Sequence, residues 1–415
     1  MNKKQVYSER AFFAVFSCYL VYRLFSITMF YKYIPDALST LFMFAASGVA
    51  LIKFMLRPRI SRRHLFWMAI ALLAMLITGI LSGYRELITT FCLILGAEGI
   101  RMERIVRRYC YITTTIIFFT LLCVRLGIIQ DYVWNVSWDN LVSSTKRHGM
   151  GFVYPTDFVS CVFYLLCGFV YLRQNERFRL RWLIMIIGVA ALTYYYCLTR
   201  LDSGCIVLLG VGYTITTVRR DKPISRVLKI ASLAAIPVCA ALSLWASAAY
   251  NGSDVRWLGL DYILSRRLYY GNLGIRRYGF SLLGQYVYMR GNSVLSANIN
   301  TEYFYLDCSY LNIALRYGMI CLVVVCSMLI FQCYQHIRTE NRAFLIIMIL
   351  VAVNSMIAHH LFDGYTNVFI FAALADITVT GRAKRRRRNL LGWGGVPLLG
   401  QNSRGVSRGL NSGGV

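Results

Sequence analysis

The sequence predicts an all-α polytopic membrane protein, and three observations carry that prediction. Hydrophobic residues make up 58% of the 415 positions and charged residues only 15%, with a mean hydropathy of +0.54, a composition outside the range of soluble globular chains. Apolar runs near twenty residues recur along the chain, the length that a hydrocarbon core of about 30 Å demands of a helix. Basic residues fall in short clusters between those runs, as orientation by the positive-inside rule requires. The net charge of +27 therefore reads as an orienting signal. The bilayer is the expected partner, and nucleic acid is not.

The runs lie near 11–31, 34–56, 65–82, 85–100, 109–129, 152–172, 182–199, 203–218, 227–249, 304–333, 343–361 and 365–380, about twelve transmembrane helices. The fourth and twelfth are short, with Glu98 or Asp376 near an end. The first is too long to be a removable signal peptide and has no small-residue cleavage site, so a retained span is expected. With the N-terminus inside, alternate connections hold 30 of the 45 lysines and arginines and only Glu9, Glu103, Glu176, Asp221 and Glu340 among the acids. That alternation places both termini in the cytoplasm. Residues 1–380 then form a single transmembrane domain, followed by a basic, then Gly/Ser-rich cytoplasmic tail over 381–415 that opens on "KRRRRN" and suits contact with anionic lipid.

The same topology puts residues 250–303 outside as one long extracytoplasmic loop. Its arginines cannot be there for orientation. Trp257, Leu260, Ile263, Leu268, Tyr269, Tyr270, Tyr278 and Phe280 run through it, so packed interfacial helices are expected in place of a structureless connector. The thirteen cysteines lie mostly inside apolar runs with no paired metal-ligand spacing and read as small packing residues.

Four outer segments gather ionisable residues. In "STKRHGMGFVYPTDF", Gly149 and Gly151 permit a tight turn and Pro155 suits a first helical turn, which sets Arg147 and His148 at the surface and Asp157 just inside. In "LTRLDSG", Arg200 and Asp202 stand in a tight turn where they could pair with each other. The long loop carries Arg266, Arg267, Arg276 and Arg277, followed by Glu302, Asp307 and the deeper Arg316. An ionisable residue within a span costs about 2.5–3.5 kcal/mol on insertion scales, so Arg316 should face the protein interior or a wet cavity. Arg23, near the middle of the first helix, could line such a cavity or snorkel. In "IAHHLFDGYTN", His359, His360 and Asp363 meet; adjacent histidines on a helix diverge by about 100°, which argues against one shared metal ion. Together the segments suggest an outer site of arginines, a carboxylate and a histidine, suited to an anionic, phosphate-bearing lipid-linked ligand.

Across roughly residues 85–375 the chain resembles the Wzy-type bacterial polysaccharide polymerases, relatives of the O-antigen ligases. The residues that carry the resemblance are "LILGAEGIRMERIVRRY", "RHGMGFVYPTDF", "LSRRLYYGNLGIRRYGFSLLGQ" and "LDCSYLNIALRYGMI", in that order. Leu264, Ser265 and Arg267 match a long-loop motif in which Arg266 replaces a glycine, and Tyr278, Gly279 and Gly284 follow as that motif expects. Ligases carry His-Asn or a similar pair, nine residues, then glycine; here Asp307 and Cys308 precede Gly318 at that spacing. The missing histidine favours polymerase over ligase.

The resemblance implies a GT-C-like fold, undecaprenyl-diphosphate-linked glycans as substrates, and transfer of the growing chain onto a newly flipped repeat unit, with neither metal nor other cofactor expected. It further implies a bacterial cytoplasmic (inner) membrane, with the flippase and chain-length regulator of the same pathway as partners. Asp307 is the candidate base, or an orienting acceptor or arginine partner. Arg267 and Arg147 are the candidate diphosphate clamps. Arg266, Arg276, Arg277, His360, Arg200 and Tyr310 complete the candidate substrate-binding set. Rival readings are a flippase for lipid-linked oligosaccharide, an O-antigen-ligase-like transferase and a non-catalytic membrane protein; against the flippase stand the absence of an internal repeat and the one long loop.

Overall fold

The computed structural model describes residues 3–56, 62–136, 145–291 and 303–377. The expected basic tail over 381–415, and residues 292–302 of the long loop, lie outside them. The described chain is mostly helical: α1 (Lys3–Ser26), α2 (Asp36–Met55), α3 (Arg62–Ser82), α4 (Glu86–Gly96), α5 (Met102–Arg125), α6 (Pro155–Leu172), α7 (Leu180–Cys197), α8 (Arg200–Val218), α9 (Arg226–Ala249), α10 (Val255–Ile263), α11 (Arg267–Tyr278), α12 (Ser309–Asn312), α13 (Gly318–Arg338) and α14 (Arg342–Asn354). A π-helical turn, Ile313–Tyr317, joins α12 to α13. Between α5 and α6 lies a short antiparallel pair of β1 (Val133–Val136) and β2 (Thr145–His148), with Trp134 opposite Arg147, too little sheet to alter the all-α class.

Among the described residues, seven helical stretches are long and apolar enough to cross a membrane: Ala37–Met55, α5, α6, α7, α8, α9 and the continuous Ser309–Arg338. Five of the twelve expected runs fall outside that set: those of α1 and α3, and three more. The run at 85–100 becomes α4, eleven residues of which nine are buried, about 16 Å long and too short to span. The run at 343–361 stops at Asn354 after thirteen residues, and over its described residues the run at 365–380 forms a 3₁₀ turn, Val368–Ala373. These segments are apolar because protein surrounds them, a cause that hydropathy cannot separate from lipid. Burial sorts the long helices too: α6 is 78% buried over its apolar window, whereas α2 and α7 are 22% buried. α6 is thus central and the other two peripheral.

Local chemistry fixes the ends. Pro155 opens α6, and Ser225 and Asn341 cap α9 and α14 through hydroxyl and amide oxygens that accept from the backbone of Leu228 and Phe344. Arg342, 4% exposed, donates to the carbonyls of Arg219, Lys222 and Pro223. That clasp ties the start of α14 to the turn between α8 and α9.

The long loop contains two helices, as its aromatic content predicts. α11 lies on α9, where the Asn272 amide donates to the Ser247 carbonyl at 2.9 Å. Residues 279–290 then run against the π turn. The Gln285 N–H donates to the Arg316 carbonyl at 3.0 Å, and its side-chain amide donates to Tyr278, Gly279 and Leu315 carbonyls. A π turn misaligns helical carbonyls; Gln285 supplies partners for two of them. Gly318 (φ +87°) and Gly284 (φ +94°) meet at this crossing, and a Cβ on Gly318 would fall 2.4 Å from the Gly284 nitrogen.

Candidate functional site

Arg267 opens α11, and the turn before it is built around Asp261. That carboxylate is 1% exposed and accepts from the Leu268 and Tyr269 N–H groups at 2.9 and 3.1 Å, while its backbone carbonyl accepts from Arg266 at 2.8 Å. The geometry requires left-handed φ at Ser265 (+55°) and Arg266 (+66°). Arg267 is then pinned through Nε to the Ile357 carbonyl at 2.7 Å and through Nη1 to the Leu264 carbonyl at 3.1 Å. Its Nη2 faces the Asp307 carboxylate at 3.6 Å.

Arg147 comes from β2. Its Nε donates to the Cys197 carbonyl at 2.8 Å, and Arg267, Asp307 and Asp202 are within electrostatic range. Burial lowers its pKa from the ordinary arginine value, and a guanidinium stays charged even so. Asp307 keeps 31% of its side chain exposed, against 10% for Arg267. The carboxylate is accessible while the cation beside it is fixed. Tyr303, next to this group, has its phenol pKa pushed up by burial.

Residues 355–367 carry the histidines and are not helical, which overturns the divergence expected of adjacent histidines: the His359 and His360 rings stand 4.1 Å apart. His360 is buried, with Nδ1 3.0 Å from Asp363 and Nε2 3.5 Å from Asp157. An imidazolium satisfies carboxylates on both sides. Asp157, His359 and His360 have ligand atoms within 4.8 Å of one another, close enough to converge on a cation, whereas the Asp157–His360–Asp363 triad needs no added partner. The Tyr305 hydroxyl lies 3.4 Å from His359 Nε2. Asp202 turns inward to the Asn354 amide at 3.2 Å.

Asp363 also borders a cavity of about 30 Å³ shared with Glu86, Asn312, Arg316 and His359, room for one or two waters. Arg316 lies 3.4 Å over the Tyr84 ring and donates to Asn312 Oδ1 at 3.1 Å. It faces inward, as its cost in lipid predicts. Arg23 pairs with Glu86 at 2.6 Å and lies 4.7 Å over the Tyr365 ring. The choice between cavity and snorkelling is settled toward the interior.

Arg267, Asp307 and Arg147 thus come together, with His360 buried nearby and tied to Asp157 and Asp363. Others from the candidate set do not join them. Arg266 is exposed and serves as a turn residue. Arg276 and Arg277 sit in the last turn of α11, about 14 Å along the helix from Arg267, where Arg276 is exposed and Arg277 lies over Phe304. Arg200 is exposed at the start of α8 while Asp202 points inward. Tyr310 is fully buried, its hydroxyl donating to the Ala352 carbonyl at 3.0 Å; a substrate contact there would require the core to open.

Sequence reasoning missed Asp261, Glu86, Gln285 and Asn354. Asp261 could have been found as an acid just before an arginine-rich helix start; the carbonyl anchors of Leu264, Cys197 and Ile357 leave no trace in side-chain identity. Comparison with protein family models, curated proteins and solved structures finds no match.

Proposed function

We propose that the protein is a glycosyltransferase that polymerises undecaprenyl-diphosphate-linked oligosaccharide repeat units at the extracytoplasmic face of a bacterial cytoplasmic membrane, as the Wzy-type resemblance implies. The observation that supports this most is the Arg267–Asp307 pair with Arg147 alongside: two arginines anchored by backbone carbonyls beside one accessible carboxylate. Anchored cations suit a leaving diphosphate, because charge that develops there meets dipoles already oriented. The carboxylate suits an acceptor hydroxyl.

In this reading Asp307 takes the proton from a sugar hydroxyl of the incoming repeat unit, whose oxygen attacks the anomeric carbon of the growing chain. The bond from that carbon to the diphosphate oxygen breaks, the diphosphate leaves with the electron pair, and Arg267 and Arg147 neutralise it. His360 is held between Asp157 and Asp363, which fixes the segment that bears it beside the site. Both termini lie in the cytoplasm, and the flippase and chain-length regulator of the pathway are the partners.

The test is Arg267→Ala, Arg267→Lys and Asp307→Asn, made separately in the native host with membrane abundance verified, followed by electrophoresis of surface glycan and lipid-linked intermediates. Single repeat units exposed outside, in place of long chains, are expected from each. Lipid-linked units accumulating on the cytoplasmic side would identify a flippase instead; long chains of normal length would remove these residues from the chemistry.

A further inference from the structure

A second site lies at the other end of α5, which at 24 residues separates it from the β hairpin by about 36 Å. There Arg101, Arg104, Arg107 and Arg108 line a cavity of about 530 Å³ with Glu103, Phe13 and Tyr111. Orientation in the membrane explains why this end is basic. It does not explain why four guanidiniums ring a hollow, since like charges three or four residues apart on a helix repel and basic groups in its first turn oppose the dipole. Glu9 pairs with Arg104, and among the described residues Glu103 is the one acid on the wall. Two carboxylates thus face four arginines, an excess of two positive charges. Phe13 forms a rigid floor, with Arg104 and Arg108 over its ring at 5.3 and 5.7 Å.

The hollow also has an apolar extension. From Arg108 the exposed face of α5 continues at helical spacing through Tyr111, Phe118 and Leu122, which are 70%, 68% and 43% exposed. An amphiphile with its anionic head in the cavity can lay its acyl chains along that face. We propose that this cavity binds cardiolipin: two phosphodiesters match the two excess charges, and the hydroxyl of the bridging glycerol can donate to Glu103. Basic pockets between membrane helices hold such headgroups by charge and bidentate hydrogen bonds.

Native mass spectrometry of the full-length protein in detergent, titrated with cardiolipin, phosphatidylglycerol, phosphatidylcholine and soluble glycerol 3-phosphate, tests this. Cardiolipin should bind tightest, and soluble glycerol 3-phosphate should not displace it. Arg107 and Arg108 are exposed, so Arg107→Gln/Arg108→Gln should fold and bind cardiolipin about thirty-fold more weakly. Arg107→Lys/Arg108→Lys should recover part of that loss. Equal binding of phosphatidylglycerol and cardiolipin would overturn the two-phosphate assignment. Displacement by glycerol 3-phosphate, or unchanged affinity in the glutamine variant, would overturn the lipid site altogether.

Discussion

Arg266 holds a left-handed backbone (φ +66°), which costs a residue with a side chain about 1–2 kcal/mol and glycine far less. The resemblance expects glycine at that position, and the turn around Asp261 supplies the physical reason. Arg266→Gly should therefore keep activity and raise the unfolding temperature by a few degrees in a thermal scan. Arg267→Lys should act oppositely, lowering polymer formation at least about a hundredfold at unchanged abundance, because an ammonium cannot hold two carbonyls and present a third nitrogen. Asp261→Ala should cost about 1–2 kcal/mol in thermal unfolding through two lost backbone acceptances and should lower activity by releasing Arg267. The charged members of this site were legible one by one because ionisable groups are rare in an apolar chain. Their grouping at one outer site followed from the topology and the resemblance; the hairpin and interrupted helix through which Arg147, Arg267 and Asp307 reach one another are announced by no periodicity.

Among the elements, the π turn and residues 279–290 behave as a unit. The extra residue of a π turn lets Arg316 point inward, and the carbonyls it displaces are met by Gln285. Gly318→Ala would drive a Cβ into the Gly284 nitrogen and the Leu282 carbonyl, at 2.4 and 2.5 Å, in a backbone conformation that already excludes most side chains. Loss of several kcal/mol or failure to accumulate in membranes is expected. Gly188→Ala on α7 meets nothing within 4 Å and should accumulate normally, so immunoblotting the two side by side separates a local clash from general intolerance. Long helices such as α6 and α9 could be read from hydropathy, and the start of α6 also from Pro155. The short α4 and α14 could not, because burial in protein and burial in lipid leave the same apolar signature.

For the molecule as a whole, charge alternation predicts opposite sides for the two kinds of connection. An epitope inserted in the turn at 251–253 should be reached by antibody from outside intact spheroplasts, and one in the turn at 219–222 only after permeabilisation; the reverse pattern would invert the proposed topology. The Arg23–Glu86 pair ties α1 to α4 inside the body. Arg23→Met alone should lower stability by about 3 kcal/mol through an uncompensated carboxylate, whereas Arg23→Met with Glu86→Leu should recover most of it in detergent unfolding. The clasp of Arg342 has a consequence in time. Arg219, Lys222 and Pro223 leave the ribosome about 120 residues ahead of Arg342, on the order of ten seconds at ordinary elongation rates. Through that interval the turn between α8 and α9 waits with its carbonyls open to water, and a nascent chain arrested before Asn341 offers a membrane protease the very loop that completed synthesis would lock.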